Sequence, residues 1–186
     1  MVDQVPVLIA GAGPVGLVAA LRLARRGIPV TILEKSVAVQ EGLRASTFHP
    51  PTLEMLDELD LTAGLLQRGL ETRTWQIRQH ETHAKAEFDL GAISGDTRYP
   101  FRLQVEQSIL CQLAVAQAQE NDLLDLRFDA ELTLAESNDN GVTVTGRHSD
   151  DSTFTIETRF LIAADGSRST IRDQLDLPFE GLTYPE

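Results

Sequence analysis

The stretch from Val5 to Glu34, VPVLIAGAGPVGLVAALRLARRGIPVTILE, constrains this fold more than any other. The apolar run Val5, Val7, Leu8, Ile9, Ala10 reads as a fully buried strand and leads directly into Gly11-Ala12-Gly13-Pro14-Val15-Gly16. The spacing predicts a helix from there. Leu17, Ala20, Leu21, Leu23 and Ala24 give it an apolar face, and Gly27 sits where a helix C-terminus tolerates positive φ. Pro29 to Leu33 predicts a second buried strand, which ends on Glu34.

Each part has a task in a βαβ unit that holds a dinucleotide. Gly11 makes the tight turn out of the strand, Gly13 lets the backbone approach a pyrophosphate, and Gly16 lets helix and strand pack closely. The pyrophosphate rests on unpaired N–H groups at the positive end of the helix. Pro14 fits there because the first turn needs no N–H from it. Glu34 can accept both hydroxyls of an adenosine ribose and repels a 2′-phosphate, which disfavours NADP in this slot. The expected cofactor-binding set of this unit is Gly11, Gly13, Pro14, Val15, Gly16, Glu34 and Lys35. The pattern specifies an ADP moiety and leaves open which dinucleotide carries it.

A chain of 186 residues can bury a sizeable core and hold one domain, or one and a part. No window reaches the apolar length of a membrane span, and the chain starts on a strand without a basic, apolar leader, so a cytoplasmic location is expected. The single cysteine, Cys111, excludes an internal disulfide and any CxxC site; its helical context reads as a buried structural thiol. The net charge is −12, yet the first fifty residues carry five Lys/Arg against three Asp/Glu, so the acidic excess lies entirely beyond them. That balance argues against nucleic acid as a partner and suits a pyrophosphate near the glycines. No metal site is expected. His80 and His83, three apart in a predicted strand, would face opposite ways, and Asp139-Asn140-Gly141 and Asp150-Asp151 lack calcium-loop spacing.

Further along, Pro50-Pro51 should open an amphipathic helix with Leu53, Leu56 and Leu59 on one side and Glu54, Asp57, Glu58 and Asp60 on the other. Between Glu71 and Phe101 short β-like runs, Trp75 to Arg78 and Ala84 to Leu90, suggest strands of an inserted second sheet. A helix is expected from about Gln104 to Gln119 with Val105, Ile109, Leu113 and Ala116 on its stripe. Leu123 to Leu134 reads as one or two strands. The turns at Asn138 to Gly141 and at His148 to Ser152 then predict an antiparallel meander, with Thr153 to Glu157 returning. Phe160 to Ala164 reads as a separate buried strand, followed by Asp165-Gly166-Ser167-Arg168-Ser169 and a short helix with Ile171. Taken alone, Asp165-Gly166 is equally a capped turn.

Together these motifs resemble the FAD-binding half of the aromatic-ring flavin monooxygenases, the p-hydroxybenzoate hydroxylase-like family. Gly11, Gly13 and Gly16 match its fingerprint and Glu34 its ribose acid. Arg44-Ala45 before the Pro-Pro-Thr-Leu-Glu helix is similar to the segment whose arginine lies against the FAD pyrophosphate. Gln104, opening its helix, resembles the glutamine that binds the ribityl or phosphate region. Leu161 to Arg172, with Asp165 and Gly166, resembles the Asp-Gly motif that serves both FAD and a transient NADH or NADPH. Ala130 is expected to touch adenine through its backbone.

The resemblance implies an α/β fold: a Rossmann-like FAD/NAD(P)-binding domain with a βαβ start and a β-meander, over 1–70 and 101–186. Residues 71–100 then form part of a substrate-domain sheet. It also implies NAD(P)H- and O2-dependent hydroxylation of a small phenolic substrate through a flavin C4a-hydroperoxide, with no side chain here assigned as catalyst. The family's later Gly-Asp motif and large substrate sheet have no counterpart, so the chain matches roughly the N-terminal half, and unpaired sheet edges leave self-association open. Another flavin oxidoreductase, a reductase or halogenase, or an inactive nucleotide-binding fragment remain the alternatives.

Overall fold

The structure, a computed structural model, describes residues 3–39 and 45–182. The first part holds β1 (Asp3–Ala10), α1 (Pro14–Ala24), β2 (Val30–Leu33), β3 (Thr47–Phe48), α2 (Pro50–Asp57), α3 (Thr62–Leu66), β4 (Leu70–Thr72), β5 (Thr74–Arg78) and β6 (Lys85–Asp89). There follow β7 (Arg102–Gln104), α4 (Gln107–Gln119), β8 (Leu124–Arg127), β9 (Glu131–Asn138), β10 (Gly141–Arg147), β11 (Thr153–Ala163) and α5 (Thr170–Gln174). They form two compact units, one of residues 1–39 with 117–186 and one of residues 40–116.

The first unit is built on a six-stranded sheet of order β8-β2-β1-β11-β10-β9. Neighbours from β8 to β11 run parallel, and β11, β10 and β9 form the antiparallel meander. Parallel pairing of β1 and β2 requires a crossover, which α1 supplies. β1 is apolar at consecutive positions because both its faces are covered. Ile9 lies against the start of α1. Leu8 and Ala10 join Leu33, Ala130, Leu132, Val144, Ile156 and Ile171 in a buried cluster. At the end of α1, Gly27 has φ +73 and the Ile28 N–H returns to the Leu23 carbonyl at 3.2 Å.

The last long strand differs from the sequence expectation. Thr153 to Ala163 is one continuous strand, and Phe160 is 58% exposed rather than buried. Thr153 to Thr158 pairs with β10, but beyond Thr158 only β1 remains alongside, so the end of the strand has lost a neighbour.

In the second unit β3, β7 and β4 form an antiparallel sheet, and β5 and β6 form a hairpin. Pro50 opens α2 behind the N-cap His49, and Leu53, Leu56 and Leu59 are buried as their spacing predicts. The acidic side of α2 is not simply solvated. Glu54 accepts the Thr97 hydroxyl at 2.6 Å, and Asp57 accepts the Tyr99 hydroxyl at 2.7 Å and pairs with Arg98.

The Tyr99 hydrogen bond, with Arg98 adding to it, holds the Asp57 carboxyl below its ordinary value. A lowered native pKa stabilises the fold above the unfolded pKa, and that contribution is lost as pH falls through the native value. Acid melts should therefore show Asp57→Asn matching the parent most closely at low pH and falling behind it above about pH 4. Equal curves at every pH would remove this role.

In the hairpin, Trp75 faces Phe88 and Ile77 faces Ala86 on one apolar side, with Trp75 and Phe88 stacked 4.3 Å apart. The other side carries Gln76, Glu87 and Lys85 bound to one another. His80 lies in the turn and His83 just after it, at φ +53, so neither is in a strand. Among the described residues no group of three or more His, Cys, Asp or Glu is placed to hold a metal ion.

α4 starts at Gln107, and its buried positions are Ser108, Leu110, Cys111, Ala114 and Ala118. Of the predicted stripe, Val105 is buried just ahead of the helix, whereas Ile109 and Leu113 are half-buried and Ala116 is exposed. The helix is apolar around most of its girth, and its small residues take the tightest face. Among the described residues no helix is long and apolar enough to cross a membrane.

Candidate functional site

β1, β2 and β11 are parallel neighbours, so their carboxyl ends share one edge of the sheet. The chain leaves β1 at Gly11, which has φ +101 and donates its N–H to the Leu33 carbonyl at 2.7 Å. A Cβ there would sit 2.4 Å from the Ala164 oxygen, because the end of β11 packs directly on this turn. A Cβ on Gly16 would sit 1.9 Å from the Gly11 oxygen. Two glycines thus let β1, β2, β11 and α1 meet at one point.

Gly13 is different in kind: a Cβ there would meet nothing within 4 Å. It is the N-cap of α1, extended at φ −74, with no side chain capping the helix and Pro14 in the first turn. Val15, also in that turn, is 69% exposed. An uncapped helix start beside open space at the carboxyl end of a parallel sheet is the place for an anion.

Glu34 faces this loop. One carboxylate oxygen accepts the Ala12 N–H at 2.9 Å and the other accepts the Ser36 N–H at 2.9 Å. Its own N–H donates to the Arg127 carbonyl, and its carbonyl accepts the Ala130 N–H. The carboxylate is therefore fixed against the glycine loop, with a lone pair left on each oxygen for further donors. Ala130, expected to meet adenine through its backbone, is buried and gives its N–H to Glu34. Lys35 lines an open cleft of about 360 Å³ with Asp129, Glu131, Arg147, His148, Ser149 and Asp151. In that cleft Arg147 pairs with Glu131, and Asp129 accepts the Ser149 hydroxyl.

The Asp-Gly turn lies against the fingerprint, since the same Gly11 Cβ would come within 3.2 Å of the Asp165 Cα. Gly166 has φ +87, and Asp165 accepts the Ile171 N–H at 3.3 Å while Ser169 caps α5. One oxygen of Asp165 is thus used as a turn cap.

Gln104 does not open a helix; it ends β7, the middle strand of its sheet. The Val105 and Gln107 N–H groups donate to Ser46 and Ala45, which prolongs the extended pairing until α4 begins. Its side-chain oxygen accepts the Thr47 hydroxyl at 3.0 Å, a pairing that sequence reading missed because the partners are 57 residues apart. Arg44 lies outside the described residues.

The residues present fit the ADP portion of a flavin dinucleotide: an open uncapped helix start, a glycine with room beside it, and a fixed carboxylate. The family model described as FAD binding domain matches residues 4–185. The chain is 31% identical to para-nitrophenol 4-monooxygenase of Pseudomonas sp. (strain WBC-3) over 97% of its own length and 44% of that protein. It is 28% identical to pentachlorophenol 4-monooxygenase of Sphingobium chlorophenolicum, over 97% of this chain and 33% of that one. Its fold matches the crystal structure of p-nitrophenol 4-monooxygenase PnpA from Pseudomonas putida DLL-E4 with a TM-score of 0.90 at 27% identity, covering 98% of this chain and 46% of that chain. The chain spans less than half the length of these relatives. With the family match running across both units and the fingerprint geometry intact, this chain belongs to the FAD-binding domain family.

Proposed function

We propose that this chain is the FAD-binding part of an NAD(P)H- and O2-dependent hydroxylase acting on a small phenolic ring. The observation that carries the reading is the Glu34 carboxylate held 2.9 Å from the Ala12 N–H, which sets a ribose acceptor against an open, uncapped helix start. The names of the two phenol monooxygenases support the substrate class. The amides of Val15 and Gly16 bind the pyrophosphate, Gly13 leaves room for it, and Pro14, which has no N–H, opens the helix without donating. Glu34 grips the adenosine ribose, with Lys35 next to it. Arg44 supplies countercharge to the pyrophosphate, Gln104 donates to the ribityl or phosphate region, and Asp165-Gly166 serve FAD and the transient nicotinamide cofactor. When bound, the flavin would supply the redox chemistry of an NAD(P)H- and O2-dependent ring oxygenation.

Residues 1–70 and 101–186 belong to the FAD domain in this reading. Residues 71–100 belong to a larger substrate sheet, since a two-stranded hairpin with an apolar face is marginal alone. A cytoplasmic location fits a chain whose single cysteine forms no internal disulfide.

Titrating the purified chain with FAD and following flavin absorbance tests the first step. A 1:1 complex displaced by ADP is expected, and no complex would overturn the reading. Phenol-stimulated NAD(P)H oxidation by the FAD-loaded protein separates a hydroxylase from another flavin oxidoreductase.

A further inference from the structure

We propose that Asp129 is a positioning residue for the nucleotide: its left-handed backbone shifts the β8–β9 connection by one residue, which holds Ser36 where its N–H aims the Glu34 carboxylate. This assignment rests on Glu34 as the ribose acceptor and adds the residue that aims it. Asp129, Ser36, Glu34 and Ala12 all belong to the first unit.

β2 and β8 pair in parallel from Val30 with Leu124 to Leu33 with Arg127, and the Glu34 N–H continues that ladder to the Arg127 carbonyl. The next rung of a regular parallel ladder would join the Asp129 N–H to the Glu34 carbonyl. Instead the Ala130 N–H takes that carbonyl at 2.9 Å, and the Asp129 N–H passes to the Ser36 carbonyl at 3.0 Å. Asp129, at φ +54, is thus one residue too many for the ladder, as in a β-bulge. Ser36 in turn donates its N–H to one oxygen of Glu34, whose other oxygen holds the Ala12 N–H of the glycine loop. The shift therefore reaches the carboxylate in two steps. Left-handed backbone disfavours residues other than glycine, Asp and Asn least, and persists where the surroundings impose it. Here the β10–β11 turn does so: the Asp129 carbonyl accepts from His148 Nδ1 at 2.6 Å, and its two carboxylate oxygens accept the Ser149 N–H at 3.1 Å and hydroxyl at 2.9 Å.

The test is FAD titration of the full chain, with flavin fluorescence giving Kd and thermal unfolding of the apo form reporting the fold. Asp129→Ala, which loses the carboxylate and resists the left-handed turn, should weaken FAD by about tenfold. Asp129→Gly takes the turn freely but lacks the clamp, so a loss of about threefold is expected, and it replaces the alanine variant should that one not fold. Asp129→Asn, which tolerates the turn and still accepts from Ser149, should stay within about twofold of the parent. Added to Glu34→Ala, the same Asp129 substitution should cost nothing more, because it acts through that carboxylate; a residue that only supports the fold would cost the same in both backgrounds. Should Glu34→Ala itself bind FAD like the parent, the Glu34 reading fails and this proposal with it. A loss on Glu34→Ala with none on either Asp129→Ala or Asp129→Gly, or an equal Asp129 loss in both backgrounds, overturns the positioning role alone.

Discussion

Gly13→Ala is expected to remove FAD binding, weakening it by about a hundredfold or more, while the thermal unfolding midpoint stays within a few degrees of the parent. The new methyl meets no protein atom within 4 Å, so the fold has no reason to resist it. Gly13 is extended at φ −74, a conformation open to alanine, and alanine narrows the unfolded ensemble slightly. That gain and the poorer N-cap roughly cancel, each being about 0.5 kcal/mol. The methyl instead fills the space that a pyrophosphate needs in order to reach the first-turn amides.

Gly16→Ala is the contrasting case. Its methyl would lie 1.9 Å from the Gly11 oxygen, a backbone atom held by β1 and by the bond from the Gly11 N–H to Leu33. Relief requires α1 to move off the sheet, at about 1–3 kcal/mol or more, so both the unfolding midpoint and FAD affinity should drop. Calorimetry and FAD titration of the two variants decide the matter. Retained FAD binding in a folded Gly13→Ala protein would place the pyrophosphate elsewhere.

The difference between these two glycines shows what could be read in the chain. The βαβ unit was legible because every level agreed: an apolar run, three glycines, a helical stripe and an acid at the next strand end. The meander was legible from turn chemistry, and Asn138 does accept the Asn140 N–H at 2.8 Å in its first turn. What escaped was set by distant partners. Gln104 follows a helix-like pattern, but the Ser46 and Ala45 carbonyls draw the residues after it into extended pairing. Asp57 looks like a solvated helix acid, yet Tyr99 and Arg98 come to it from more than forty residues away. The stripe of α4 was misplaced because apolar residues surround most of the helix, leaving local periodicity too weak to choose a face. At Asp165 the turn-capping bond to the Ile171 N–H is present and the turn abuts Gly11, so the capped-turn reading is seen directly and the cofactor role stays a proposal.

Glu34→Ala is the second large effect, and it should act on binding and stability together. The parent carboxylate accepts two backbone N–H groups, from Ala12 and Ser36, and in the complex it also accepts ribose hydroxyls. Removing it leaves two partly buried donors without their acceptor, costing about 1–3 kcal/mol, or several degrees in the unfolding midpoint for a chain of this size. FAD affinity should fall further, by about 30- to 100-fold, since bonds to a charged group contribute roughly 1.5–3 kcal/mol each. Glu34→Gln should lie between, because one amide oxygen replaces two carboxylate oxygens and its NH2 faces donors.

The charge can be isolated by comparing ADP with its 2′-phosphorylated form as competitors of FAD. The parent should discriminate strongly against the 2′-phosphate, and Glu34→Ala should narrow that ratio while weakening ADP itself. A variant that melts early yet binds ADP and FAD with parental affinity would leave Glu34 as a clamp between β2 and the glycine loop. The sugar of the dinucleotide would then have to be held by some other group.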